Sequence, residues 1–456
     1  MPVIDRDRLD TLLEAEQRLY EERHPRSAEL FGRADHLFGR VPMTWMNKWS
    51  GGFPLYLDRA HGNRVTDVDG HTYIDFAMGD TGAMAGHSPV PVIEAVAQRI
   101  GDLGGITTML PTEDAEWVGA ELARRFGLPL WSFALTATDA NRWAIRLARQ
   151  VTQRSKILVF NYCYHGSVDE IFALGQPDGH TVSRPGNVAP PVPLHLTTRA
   201  VEFNDLAAVE RALAHGDVAA ILMEPALTNI GIVLPEPGFL EGVRELATKS
   251  GALLMIDETH TISAGPGGAT QAWSLQPDVF IIGKSIGGGI PSGAYGLTHE
   301  VAERVSHHVR ENDVDIIDVG GVGGTLAGNA MSVAAMRACL EDVLTDDVWP
   351  GMIDLATSFT EGVSQVIDEY SVPWSVSQLG ARSEYRFVSP APRNGSESAA
   401  AADDELEAYL HLFCANRGVL ITPFHNMALM CPDTSAHDVQ RHTEVFGEAV
   451  RALVSE

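Results

Sequence analysis

Two charged residues in the middle of the chain stand where chemistry can be done. Leu253-Leu254-Met255-Ile256 runs into Asp257, and Val279-Phe280-Ile281-Ile282 runs through Gly283 into Lys284. Short apolar runs bounded by Gly and Pro suit buried parallel strands. Ligands of open α/β sheets bind outside the carboxyl ends of such strands. The pair therefore predicts a carboxylate and a lysine amine at the ligand edge of a sheet, a charge partner and a nucleophile. Gly287-Gly288-Gly289 follows Lys284 and lets backbone approach a ligand closely. A third stretch offers an anion site. Thr136-Ala137-Thr138 opens a helix with Trp143, Ala144, Leu147 and Ala148 on its apolar face. The free N–H groups and the dipole at such a helix start favour a phosphate. Taken singly, each residue also reads as an ordinary strand end or helix cap; their co-occurrence carries the argument.

The elements around them follow in order. Leu9, Leu12, Leu13, Leu19 and Tyr20 predict a helix over residues 5–23, ended by Pro25 and Ser27. It reads as a packing or dimer-arm element. Residues 39–56 form a loop rich in aromatics and glycine, with Trp45, Trp49 and Phe53. Val65 to Phe76 predicts a hairpin around Asp69-Gly70. The Gly-rich stretch from Gly79 to His87 leads into a helix from Val90 to Ile100. A strand from Lys156 runs into Tyr164-His165-Gly166, and a buried strand from Val218 ends at Glu224. Gly320 to Ala330 precedes a helix from Met331 to Leu344. The low-complexity stretch 395–405 is expected to be a mobile loop, and 416–432 a strand pair.

Composition narrows the class. At 456 residues and 45% hydrophobic, the chain can bury the core of one large domain and a smaller one. The net charge of −27, from 33 basic and 60 acidic residues, argues against nucleic acid or an anionic membrane as partner. No apolar run reaches membrane-spanning length. The start MPVIDRDRLD has early acids and no apolar core, so no signal peptide is expected. Cys163, Cys339, Cys414 and Cys431 are scattered without metal-like spacing. They predict reduced thiols in a cytoplasmic protein and no metal centre.

The pattern DE-x-x-T at Asp257 to Thr261, followed by GK-x-IGGG-x-P-x-GA-x-G at Gly283 to Gly296, resembles the class III aminotransferases. These are pyridoxal-phosphate (PLP) enzymes of fold type I. Ala294-Tyr295-Gly296 and Gly324-Thr325-Leu326-Ala327-Gly328-Asn329 are most similar to the glutamate-1-semialdehyde aminomutase branch. The resemblance covers roughly residues 40–455. It implies an α/β fold: a large PLP-binding domain with a mainly parallel sheet flanked by helices over 76–335, and a smaller α/β domain. The latter is built from an N-terminal arm and segment, 1–75, and a C-terminal part, 336–456. Lys284 is implied as the Schiff-base lysine and Asp257 as the partner of the pyridine nitrogen. A neutral amine is needed to form an imine, and an aspartate at the ring nitrogen keeps the ring an electron acceptor.

Other roles follow from the same resemblance. Thr136, Ala137 and Thr138 stand where the family cradles the phosphate, with Ala137 in place of a glycine. Tyr164 of Tyr164-His165 is the ring expected to stack on the cofactor. Glu224 is expected at the cofactor's edge, orienting polar groups. Thr259 replaces the usual Val or Ile under the ring. His260 replaces a Gln that in some relatives reaches the phenolic oxygen; it is read either as a donor there or as a histidine satisfied by a carbonyl. Thr325 is expected to reach the phosphate of a neighbouring subunit, which implies an obligate homodimer with shared sites. Relatives place carboxylate-binding arginines in two segments that here read Met43-Thr44-Trp45-Met46 and Pro423-Phe424-His425-Asn426. Trp45, Trp49 and Phe424 therefore predict a pocket for apolar or aromatic amines, with Arg382 and Arg386 as more distant charges. The expected activity is a PLP-dependent transaminase acting on an amine or amino acid and a keto acid, aldehyde or ketone. Alternatives are a 2,1-aminomutase, a racemase or epimerase, and a non-catalytic PLP-binding relative.

Overall fold

The structure, a computed structural model, describes residues 4–312, 315–317 and 319–454. Met1 to Val3 of the N-terminal stretch lie outside the described residues. The chain divides into two compact units. The smaller comprises residues 1–89, 348–391 and 401–456; the larger comprises 90–347 and 392–400. These breaks fall later than the expected 75/76 and 335/336, for a physical reason at each. Phe76 N still donates to Leu420 O of the smaller unit at 2.8 Å. A break at 335/336 would cut the helix Ala330–Asp342.

In the smaller unit, helix Arg6–Arg23 has Asp5 as its cap. That helix ends at Arg23 with the non-helical His24 as its cap, before Pro25 as expected. Pro25 opens a second helix, Pro25–Gly32, because its fixed φ and missing N–H suit the first turn. Strands β1 (Leu57–His61), β2 (Arg64–Asp67) and β3 (Thr72–Asp75) follow, with β2 and β3 making the expected hairpin.

The larger unit holds the site-bearing sheet. Its strands are β4 (Leu130–Ala134), β5 (Lys156–Phe160), β8 (Thr198–Val201), β9 (Val218–Met223), β10 (Leu253–Asp257), β11 (Val279–Gly283) and β12 (Gly293–Leu297). A hairpin of β6 (Ala173–Gly175) and β7 (Thr181–Ser183) stands apart from it. The order across the sheet is β4-β12-β11-β10-β9-β5-β8. Strand β12 runs antiparallel to both neighbours, and the pairs from β11 to β8 are parallel. Strands β9, β10 and β11 are buried along their whole length, as continuous apolar runs require when both faces are covered. Helix Ala137–Thr152 lays Ala140, Trp143, Ala144, Ile145, Leu147 and Ala148 into this core. Helix Val90–Gln98 continues into a wider turn at Arg99–Leu103.

Two expectations are corrected in the C-terminal third. The stretch read as a mobile loop contains helix Gly395–Ala400, whose Ser398 side chain is buried and donates to Ile230 O. Asp403 then caps helix Asp404–Asn416. The segments read as a strand pair do not pair with each other. In the smaller unit, β13 (Ser375–Leu379) and β14 (Arg382–Arg386) pair antiparallel. There β15 (Val419–Leu420) joins β3 in parallel, while β16 (Met427–Leu429) joins β14. The four cysteines are buried and free of disulfides.

Candidate active site

Strand β10 ends by delivering Asp257 into a dry, donor-rich place. The residue is buried, yet its carboxylate is well supplied. Oδ2 accepts from Asn141 Nδ2 at 2.8 Å and faces His165 Nδ1 at 3.1 Å; Oδ1 accepts from Thr259 N at 3.0 Å. Burial works to raise its pKa, but His165 and Asn141 outweigh it and hold the group below the usual carboxylate range. His165 is the mirror case. Burial opposes its charge, and the Cys163 sulfur and the Asp257 carboxylate outweigh that and raise its pKa. Asn141 also donates to His165 O at 3.2 Å, tying the loop after β5 to the helix. Sequence reasoning did not single out Asn141. Its one signal is a polar residue on the buried face of that helix.

Glu224 follows β9 and is buried beside this pair. The Thr228 hydroxyl donates to one oxygen, and Tyr164 N approaches the other at 3.4 Å. Burial pushes its pKa up to about 7, against the pull of His165. Glu258, next to Asp257, turns to a different task. Its carboxylate accepts from the amides of Ala269 and Thr270 and from the hydroxyls of Thr261 and Thr270, closing the turn that follows β10. Tyr164 is partly buried against the main core.

Strand β11 delivers Lys284 on a tight turn, Lys284–Gly287. The lysine has φ of +51°, a left-handed conformation that a non-glycine residue holds only at a cost, often at functional sites. Its Nζ lies 2.7 Å from His260 Nε2. Of the two readings of His260, neither named this contact. Because β10 and β11 are adjacent, with Asp257 opposite Ile281, the lysine and the aspartate leave neighbouring strand ends.

The start of helix Ala137–Thr152 completes the group. Thr136 is the cap, its Oγ1 accepting from Asp139 N at 3.2 Å. Thr138 Oγ1 accepts from Ser167 N at 3.0 Å. The first amides of a helix have no partner within it and are available to an anion. Glycines let three other segments crowd this helix start. A Cβ on Gly283 would lie 2.9 Å from Ala137 N, one on Gly293 2.7 Å from Thr136 O, and one on Gly166 2.1 Å from Thr138 Oγ1. The hydroxyls of Thr259, Ser285 and Ser292 are buried without a partner among the described residues. Buried polar groups are ordinarily satisfied, so these mark places for a polar ligand.

Thr325 stands exposed in the turn before helix Ala330–Asp342. Trp45 and Phe424 belong to the smaller unit, where their rings meet edge-on at 5.8 Å. Trp49 instead packs on Tyr73, Ala415 and Leu420. Arg382 and Arg386 are buried in β14, and Arg382 donates to the Thr81 hydroxyl. Also in the smaller unit, His24, Asp67 and His71 bring three metal-ligand-type atoms within 4.8 Å of one another, a grouping that cysteine spacing did not reveal. The Tyr73 hydroxyl bonds into it, 2.6 Å from Asp67 Oδ2 and 2.8 Å from His24 Nε2.

Comparison with known proteins gives a consistent picture. The profile described as Aminotransferase class-III matches residues 45–450. A glutamate-1-semialdehyde 2,1-aminomutase from Chloroflexus aggregans is 32% identical, covering 82% of this chain and 85% of its own. A glutamate-1-semialdehyde-aminomutase from Pseudomonas aeruginosa, solved with PMP, is 48% identical with a TM-score of 0.95 over 99% of each chain. An omega-transaminase from Sphaerobacter thermophilus is 27% identical with a TM-score of 0.85, covering 95% of this chain and 99% of its own.

Proposed function

The chain belongs to the class-III aminotransferase family, and from that premise we propose that it moves an amino group between an amine or amino acid and a carbonyl compound, with Lys284 as the residue that holds the cofactor. The fold is that of the fold type I PLP-dependent transferases, and the cofactor is pyridoxal 5′-phosphate. The residues present fit that group: an ionised, desolvated carboxylate, a lysine amine, a helix start with open amides, and buried hydroxyls awaiting a partner. The single observation that carries the reading is the delivery of Asp257 and Lys284 from adjacent parallel strands.

Bound PLP supplies the electron sink for negative charge at the substrate Cα. Asp257 holds a negative charge for the pyridine nitrogen, and Asn141 and His165 fix the carboxylate and keep it ionised. Lys284 Nζ would take the Cα proton as a base and return it as an acid. Ala137 and Thr138 offer amides to the phosphate, and Tyr164 offers its ring as a stacking face. Thr259, Ser285 and Ser292 supply hydroxyls to polar edges.

We take the partner to be a second copy of this chain. Ile100, Leu103, Ile106, Met109 and Leu110 stand exposed along one segment, and soluble monomers seldom leave such apolar surface uncovered. The exposed Thr325 is then free to serve the neighbouring copy's phosphate. The absence of an arginine from Met43-Thr44-Trp45-Met46 and from Pro423-Phe424-His425-Asn426 supports a preference for apolar or aromatic donors.

Kinetics with 1-phenylethylamine, a β-aryl amino acid, alanine and glutamate as donors test this reading. The aryl donors should have the highest kcat/KM, and a clear preference for glutamate would redirect attention to Arg382 and Arg386. A second reading, 2,1-aminomutation, is favoured by the names of the relatives above. It predicts turnover of a single amino aldehyde with no second carbonyl substrate, which product analysis reads directly.

A further inference from the structure

We propose that His260 is the proton acceptor for Lys284. Its imidazole takes the ammonium proton that Lys284 must lose before its nitrogen can attack a carbonyl. The inference rests on the reading of Lys284 given above. It begins from the 2.7 Å separation of His260 Nε2 and Lys284 Nζ. At that distance one nitrogen holds the hydrogen and the other presents a lone pair. A neutral imidazole with Nε2 bare is the arrangement that receives a proton from Nζ.

Both backbones hold the contact in place. His260 sits at the head of the turn Thr261–Ala264, where its carbonyl accepts from Ser263 N at 3.3 Å. Lys284 is fixed between Gly283 and the left-handed Gly288 that closes its own turn. His260 is buried and Lys284 partly buried, so the contact lies at the edge of the core with solvent within reach. Among the described residues, the other ionisable groups packed on this part of the sheet include Asp257 at the end of β10, Glu258 just after it, Cys163, Tyr164 and His165 after β5, Glu224 after β9, and Cys339, whose Sγ meets Ser285 O. Asp257 accepts from Asn141 and the Thr259 amide and faces His165, and Glu258 accepts from Thr261, Ala269 and Thr270. A carboxamide in this place could not accept a proton at neutral pH, so the histidine gives this chain a base where an amide would only orient. In the step, one N–H bond breaks at Nζ and one forms at Nε2; the imidazolium then releases the proton to solvent.

The test uses the full-length apoprotein and reads the lysine itself. Acylation of Lys284 by acetic anhydride is followed peptide by peptide from about pH 5 to 9, with the exposed Lys249 as internal reference. In the wild type the Lys284 rate should level off above about pH 7, where an ordinary imidazole is neutral. In His260→Gln and His260→Asn it should keep rising toward the ordinary lysine range. At about pH 7 both variants should acylate about 100-fold more slowly, the low end of what a positioned base contributes. Stopped-flow capture of PLP by the same proteins should lose the same plateau. A wild-type profile that follows the ordinary lysine titration overturns the proposal without any variant. So do variants with wild-type melting temperatures whose profiles overlay the wild type. Borohydride reduction of the PLP-loaded wild type separates the two claims. A label on another lysine ends the reading of Lys284, whereas a label on Lys284 with unchanged variant profiles ends only the role of His260.

Discussion

Asp257 stays charged in a dry site because Asn141, His165 and the Thr259 amide converge on it. Asp257→Asn should therefore fold, yet turn over about 100-fold or more slowly, the scale of losing one preorganised electrostatic partner. Steady-state kinetics on the PLP-loaded variant check this; a near-normal kcat would count against Asp257 as the pyridine partner. Glu224 behaves in the opposite sense. Its pKa is raised from 4.5 to about 7 by burial, so the folded state binds the proton more tightly than the unfolded chain. The stability it contributes is complete below about pH 4.5 and is lost as pH rises through about 7, on the order of 3 kcal/mol in all. Glu224→Gln should flatten that dependence, so urea midpoints at about pH 5 and 8 should differ less in the variant than in the wild type. The strand ends that carry Asp257 and Lys284 were legible in the sequence, because an apolar run that stops at a charge announces itself locally. Asn141 and Thr228 were not, since their roles exist only once Asp257 and Glu224 are folded beside them. The direction of His260 was equally hidden: nothing in its neighbours in sequence turns it toward a lysine 24 positions on.

At the scale of elements, three glycines let strands and a loop press against one helix start. Gly283 is in extended backbone, so its need is for space and not for an unusual φ. Gly283→Ala would place a methyl 2.9 Å from Ala137 N and 3.0 Å from Ala137 Cβ, and the backbone of the helix start must move. PLP affinity should fall by about 10-fold or more, since a displaced cradle loses at least one charged hydrogen bond of about 1.5–3 kcal/mol. Equilibrium titration followed by absorbance gives the value; an unchanged Kd would remove Ala137 from the phosphate site. The buried strands β9, β10 and β11 could be read from their continuous apolar runs. Helix Gly395–Ala400 could not. Its Ser396 and Ser398 bond to Glu202 and to Ile230 O, partners more than 160 positions away, and its composition alone reads as a loop. Likewise β15 and β16 were recognisable as strands, but only β3 and β14 decide which sheets they join.

At the scale of the whole molecule, the family and the α/β architecture were both readable, because the motifs around Asp257 and Lys284 sit on strands whose order the fold fixes. Mixing a Thr325→Ala chain with a Lys284→Ala chain should restore partial activity, because a heterodimer with shared sites concentrates both defects in one site and leaves the other whole. If Thr325 serves its own subunit, each site keeps one defect and activity stays low. Borohydride reduction of the loaded protein, followed by peptide mapping and mass spectrometry, shows whether this chain holds PLP through Lys284. One pyridoxyl group per chain should be found, carried by the peptide that contains Lys284 and absent from Lys284→Ala. A label on Lys156, Lys249 or another lysine, or a chain that takes up no label, would contradict this role of Lys284.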